Sequence, residues 1–254
     1  MKTKSLHLIL FTLLLLSATF RSYATHLMGG SINYTYLSFN AGTQTATYSV
    51  TVKLYRYGTG VPTPTQLPGS VDIGAYIESS NANKVLFSTT TLPLISADSI
   101  SLPAASTCTF NPNQHVDEGI YTADISLPFQ AQGYYLIYEN CCRNGNILNL
   151  ANPGGTSMTF YAYVPPSFVH NSSPVFVDAP VPYLCVSDTT SLLNSVVDPD
   201  GDLLTYSFVT PFSGANNGQA QPPPPATYPF PIPLVGYAGN YSVTDPFGVG
   251  DYAT

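Results

Sequence analysis

Thr47-Tyr48-Ser49-Val50-Thr51-Val52-Lys53-Leu54 alternates polar with large apolar side chains along its whole length. Successive side chains of a strand point to opposite faces, so Tyr48, Val50, Val52 and Leu54 share one face and the Thr, Ser and Lys side chains the other. The stretch predicts a half-buried antiparallel strand. The same period recurs where Tyr121, Ala123, Ile125 and Leu127 alternate with Thr122, Asp124 and Ser126, and where Phe160, Ala162 and Val164 alternate with Thr159, Tyr161 and Tyr163. Further strands are expected near residues 32–37, 73–78, 85–90, 134–138 and 203–210. Pro and Gly punctuate the chain about every ten residues, and no window of helical length keeps a 3.6-residue period with caps. Many short strands between turn residues are the pattern of an all-β chain built from antiparallel β-sandwiches.

The chain is 254 residues long, with 44% hydrophobic and 13% aromatic residues, enough apolar material for a core. Pro and Gly together stay below the roughly 25–30% that marks low-complexity chains. The N-terminus reads differently from the rest. Lys2 and Lys4 precede an almost wholly apolar run over residues 6–20, and the small pair Ser22 and Ala24 follows. A basic start, a short apolar run and a small-residue site make residues 1–24 a secretory signal peptide, cut after Ala24. The run is shorter than the about 20 apolar residues that span a bilayer, and no later segment is long and apolar enough, so the mature chain is expected to have no transmembrane span. The expected setting is secreted or cell-surface. Beyond residue 24 only Lys53, Arg56, Lys84 and Arg143 are basic, against 14 acidic side chains, a net charge of −10. Nucleic acid is excluded as a partner, because backbone binding needs clustered Lys and Arg.

Two units are expected. The strand ending at Val164 meets Pro165-Pro166, so the first domain covers residues 25–166 and the second residues 167–254, the second being short for a complete sandwich. The run Pro222 to Pro225, with Pro229, Pro231 and Pro233, reads as an extended connection between strands rather than a polyproline ligand.

Cys108, Cys141, Cys142 and Cys185 form an even set in an exported chain, which favours disulfides. Pairing Cys141 with Cys142 is the least favoured, since adjacent residues in a strand point to opposite faces, and the other two connectivities stay open. No pair has zinc-knuckle spacing and no histidine lies close by in sequence. A search for chemistry ends without a motif. His26, His115 and His170 are isolated, and Gly-x-Ser-x-Gly and His-Glu-x-x-His are both missing from the sequence. Asp117 and Glu118 as a glycosidase pair are better explained as a solvated loop beside Gly119. The glycines at 248 and 250 match a dinucleotide fingerprint on paper only, with no helix after them. The chain is therefore expected not to be an enzyme.

The densest polar cluster is Asp198-Pro199-Asp200-Gly201-Asp202, with carboxylates at every second position of a turn. Calcium takes six to eight oxygens, and Asp198, Asp200 and Asp202 are its candidate ligands. The competing reading is a tight Asp/Gly turn with solvated charges. An EF-hand is excluded, since its glycine should be sixth and Gly201 is fourth, and Val209 stands where its twelfth-position glutamate belongs.

The segment Asn171-Ser172-Ser173-Pro174-Val175-Phe176, then Cys185, then residues 198–206 resembles the opening of a cadherin-like or PKD-like extracellular module. Upstream, the stretch from Thr25 to Gly30, Tyr55-Arg56, Gly119-Ile120-Tyr121 and Glu139-Asn140-Cys141-Cys142-Arg143-Asn144 resembles the N-terminal region of large Bacteroidetes surface proteins associated with gliding motility. The resemblance implies two consecutive Ig-like or cadherin-like sandwiches and a non-catalytic adhesive or structural role. Its implied partners are cell-surface glycans or proteins, and the type IX secretion machinery for the full-length protein. Where the family has cysteines soon after Tyr-Arg and near Leu127-Pro128, this chain has Tyr57-Gly58 and Phe129-Gln130. Asp98-Ser99-Ile100 and Asp188-Thr189-Thr190 resemble the O-glycosylation sequons of exported proteins of that group. The alternative role is carbohydrate binding, with Tyr34, Tyr36, Tyr55, Tyr57, Tyr161 and Tyr163 as a stacking platform. Strand tyrosines also serve packing alone.

Overall fold

The computed structural model describes residues 27–59, 67–79, 83–100, 114–178, 180, 195–216 and 222–248. Within them the chain is all-β, with one 3₁₀ turn at Pro153–Gly155 and no helix long and apolar enough to cross a membrane. Seven strands carry the architecture: β1 (Leu27–Asn40), β2 (Thr45–Thr59), β3 (Ser70–Ile77), β4 (Lys84–Ile100), β5 (Gln114–Pro128), β6 (Tyr134–Asn140) and β7 (Met158–Val164). Every pairing among them is antiparallel, in the order β1-β2-β5-β4-β3-β6-β7.

The alternation read from β2 decides the core. Tyr48, Val50, Val52 and Leu54 are each at most 1% exposed. They face Tyr121, Ile125 and Leu127 of β5 in the interior, together with Val71 and Ile73 of β3, Leu136 and Tyr138 of β6, and Met158 and Val164 of β7. Each large side chain removed from water contributes about 1.5–3 kcal/mol. On the outer face of the β2–β5 ladder the Thr51 and Thr122 hydroxyls bond each other at 3.0 Å, as cross-strand polar pairs do.

Strand β4 is what bends the sheet back on itself. Its first half pairs with β3 and its second half, from Leu94, with β5, across a register shift between Leu94 and Ser96. The sheet curls far enough for β1 to pack on β7, and the Tyr34 hydroxyl of β1 donates to the Tyr163 carbonyl of β7 at 2.9 Å. The result is nearly a barrel, with few free edges left to pair with other chains. At the β5–β6 turn Gly133 has φ +65°, and a Cβ there would stand 2.2 Å from the Val164 carbonyl oxygen, so only glycine fits.

Beyond β7 the chain returns to the same body. Ser173 exchanges backbone and side-chain bonds with Tyr34, and the Arg143 guanidinium donates to the Phe212 carbonyl at 2.7 Å. The proline-rich run is an extended strap, as expected for a connection, but it lies on the outer face of β3 and β6. There β10 (Thr227–Tyr228) pairs with Lys84 and Val85, the Tyr76 hydroxyl donates to the Pro225 carbonyl, and the Leu86 N–H donates to the Ala226 carbonyl. Tyr228 and Ile232 form a second apolar cluster with Tyr76 and Ile137. β3 and β6 are thus buried on both faces.

Residues 203–210 form no strand, contrary to expectation: Leu203, Tyr206, Phe208 and Val209 are 61–95% exposed, and no strand edge among the described residues pairs with them. Past residue 166 the regular pairing among the described residues consists of β10 on β4 and a short ladder of β8 (Val175–Phe176) with β9 (Val196–Val197).

Candidate functional site

The carboxylates of the Asp198 turn do not converge. One Asp198 oxygen accepts the Asp200 and Asp202 N–H groups at 2.9 and 3.2 Å, while Gly201, at φ +80°, closes the turn onto the Asp198 carbonyl. Asp200 turns away and accepts the Ser172 N–H, tying the turn to the segment laid along β1. Among the described residues no group of three acidic, histidine or cysteine side chains is placed to hold a metal ion. Asp198 is bonded to backbone N–H groups as in an Asp/Gly turn. Asp198→Ala is expected to lower stability by about 1 kcal/mol, equally in EDTA and in calcium, as read by thermal unfolding. A loss confined to calcium would instead make the three carboxylates a cation site.

Cys108 and Cys185 lie outside the described residues, and with them both long-range connectivities. β6 ends at Asn140, so the strand-alternation argument against pairing Cys141 with Cys142 does not reach these two residues. Cys141 is 1% exposed.

Asp117 and Glu118 sit inside strand β5 rather than in a loop, so their side chains point to opposite faces and cannot flank one bond. Asp117 is buried, with one oxygen accepting the Ser99 hydroxyl at 2.5 Å and the other 3.4 Å from His115 Nε2. A nucleophilic triad needs the imidazole against the hydroxyl; here the carboxylate lies between them. His115 is packed against Gly58, and its Nδ1 has no hydrogen-bond partner among the described residues.

A second buried carboxylate, which sequence reasoning missed, holds the strap. Glu139 accepts the Ala215 and Asn216 N–H groups at 3.0 and 2.8 Å and the Tyr228 hydroxyl at 2.8 Å. A Cβ on Gly214 would fall 2.2 Å from Glu139 Oε1, so the backbone can come this close only at a glycine. Thr159 completes the group by donating to the Ser213 carbonyl and bonding Tyr228. Lys84, nearly buried, pairs with Glu78 and lies over the rings of Tyr135 and Phe230 at 4.6 and 4.5 Å. Arg143 is also buried, which pulls its pKa down to about 10. These groups are structural, each bonded to a neighbour that holds an element in place.

The six tyrosines do not make one platform. Tyr34 is 2% exposed, bonded to Asn171, and burial pushes its phenol up to about 12. Tyr36 is covered by the His170 ring, stacked at 4.6 Å, and burial followed by the nearby Glu118 charge raises Tyr55. Tyr161 and Tyr163 do face outward from β7, but Tyr161 is edge-on to Phe212 and Phe230.

Two exposed aromatic rings, Phe129 and Phe168, lie together elsewhere, at the end of the barrel where three turns meet. Phe39 lies near the end of β1, Gln44 in the β1–β2 turn, Phe129 in the β5–β6 turn, and Ser167, Phe168 and His170 just after β7. The Phe129 N–H donates to the Gln44 carbonyl at 2.8 Å, fixing the first two turns to each other. The Val169 N–H closes the third by bonding the Pro166 carbonyl. Together the six residues line an open hollow of about 380 Å³. Phe129 and Phe168 form a tilted pair 6.0 Å apart, 43% and 69% exposed. Ser167 is 5% exposed, and its buried hydroxyl has no hydrogen-bond partner among the described residues. No family model, no curated protein and no solved structure matches this chain.

Proposed function

We propose that the chain is a non-catalytic module of a secreted or cell-surface protein with a structural or adhesive role, the N-terminal part of a larger gliding-motility-associated surface protein. The observation that carries the reading is the aromatic hollow at one end of a nearly closed barrel: rigid strands hold exposed Phe129 and Phe168 in turns, as binding surfaces on rigid scaffolds are held. The acidic charge balance, the signal-like N-terminus and the ordered set of resembling motifs support it. In the same reading the β8–β9 ladder and the Asp198 turn open a second, cadherin-like sandwich after the first, and export uses the type IX machinery. A carbohydrate-binding accessory protein is the second reading, and the same hollow favours it. Deleting the gene is expected to reduce attachment or spreading of cells on a surface, and protease treatment of intact cells should remove the chain. Normal attachment and spreading without it would overturn the adhesive reading.

A further inference from the structure

We infer that residues 203–210 pair, antiparallel and about a two-fold axis, with the same segment of a second copy of this chain. The inference goes beyond the adhesive reading and does not rest on it. These eight residues include no charged side chain, glycine or proline, and their β-branched and aromatic members suit a strand. Among the described residues no backbone hydrogen bond joins them to the rest of the structure, and Leu203, Tyr206, Phe208 and Val209 are exposed. The segment is nevertheless held at both ends. Before it, the Asp202 N–H bonds the Asp198 carboxylate at 3.2 Å. After it, the Val235 N–H donates to the Pro211 carbonyl at 2.9 Å and Phe212 bridges to Leu234. Anchored ends reduce the ordering that pairing must impose.

The order of the side chains is what singles out a second copy. Laid antiparallel on itself with Tyr206 on the axis, the segment sets Leu203 opposite Val209, Leu204 opposite Phe208, and Thr205 opposite Ser207. Apolar groups meet apolar groups and hydroxyls meet hydroxyls, the cross-strand pairs that stabilise a ladder. Just outside them Asp202 would meet the Thr210 hydroxyl. Like charges directly opposite each other would work against self-pairing. In a chain whose net charge beyond residue 24 is −10, these eight residues contribute none. Such an isologous contact closes as a dimer. One ladder is small beside the about 1,200–2,000 Å² of a stable interface, so the dimer is weak and reversible.

The test is sedimentation velocity of the full mature chain, from low-micromolar to near-millimolar protein. A reversible equilibrium between monomer and dimer is expected. Added salt should strengthen it, because screening weakens the repulsion between two acidic bodies. Tyr206→Lys and Tyr206→Glu each place like charges opposite one another on the axis, so each variant alone should dimerise about tenfold more weakly. Mixed in equal amounts, the two variants bring an ammonium opposite a carboxylate and should dimerise more tightly than either does alone. Their circular dichroism spectra and thermal midpoints should match the parent chain at low concentration, since Tyr206 is exposed. Recovery in the mixture separates pairing about this axis from general stickiness. The assignment is overturned if the chain stays monomeric over the whole range, which would leave the segment to a different partner. It is equally overturned if neither substitution weakens association, or if the mixture is no tighter than the separate variants. None of these outcomes bears on attachment of cells, so the adhesive reading stands or falls on its own experiment.

Discussion

Replacing Tyr228 with alanine is expected to lower the free energy of unfolding by about 3–5 kcal/mol, the range for removing a buried aromatic side chain. The residue is fully buried, meets Tyr76 edge-on at 5.5 Å, and donates to Glu139 at 2.8 Å. Its loss would open a cavity between the strap and the β3–β6 face and take one bond from a buried carboxylate. Tyr228→Phe keeps the ring and should cost about 1–3 kcal/mol, the penalty for an unsatisfied buried partner. Urea unfolding of both variants gives the split. A loss below about 1 kcal/mol for the alanine variant would mean that the strap is not integral to the fold.

Alkaline pH is expected to unfold the protein, and steeply. The chain has 19 tyrosines and no tryptophan, so phenolate absorbance reads tyrosines alone. Burial pushes Tyr34, Tyr48 and Tyr134 up to about 12, and raises Tyr76, Tyr121, Tyr138 and Tyr228 as well. An unfolded tyrosine ionises near pH 10. Between that value and the folded one the native state holds the proton that the unfolded chain releases, so stability falls as pH rises. It is complete below about pH 10 and is lost progressively toward pH 12, at most about 1.4 kcal/mol per pH unit for each such tyrosine. Phenolate absorbance should therefore rise in two steps, exposed groups first and buried ones together with loss of the β circular dichroism signal. One smooth titration near pH 10 with the fold retained would contradict the burial of these phenols.

The strands with one wet face were legible because their period is written locally. β2, β5 and β7 each alternate within a single stretch, and each buries the face that the alternation selects. β3 and β6 were located, but not their second buried face, because what covers Tyr76 and Ile137 is a proline-rich segment far along the chain that reads as connection. Residues 203–210 show the converse. Their composition suits a strand, and a strand also needs a neighbouring edge, which no local pattern reveals. The Asp198 turn was recognisable as a turn, whereas the direction of its oxygens depended on backbone geometry. The hollow could not be read at all. Gln44, Phe129 and Phe168 belong to three separate turns, each unremarkable, brought together only by closure of the barrel. Tyrosine enrichment pointed to a stacking surface, but on strands that enrichment largely serves the core.

The strap also sets an order of events as the chain is made. Thr227 pairs with Val85 across more than half the length of the chain, so this contact is among the most non-local in the molecule. Pairings of that kind form late, since a long loop must close first. A nascent chain that has completed β7 but not yet delivered residues 222–235 carries the strands of the barrel with Tyr76 and Ile137 uncovered on its outside. Until the strap arrives, the growing protein presents a sticky apolar stripe, which makes that interval the one in which aggregation competes with folding and a holding chaperone would have its effect.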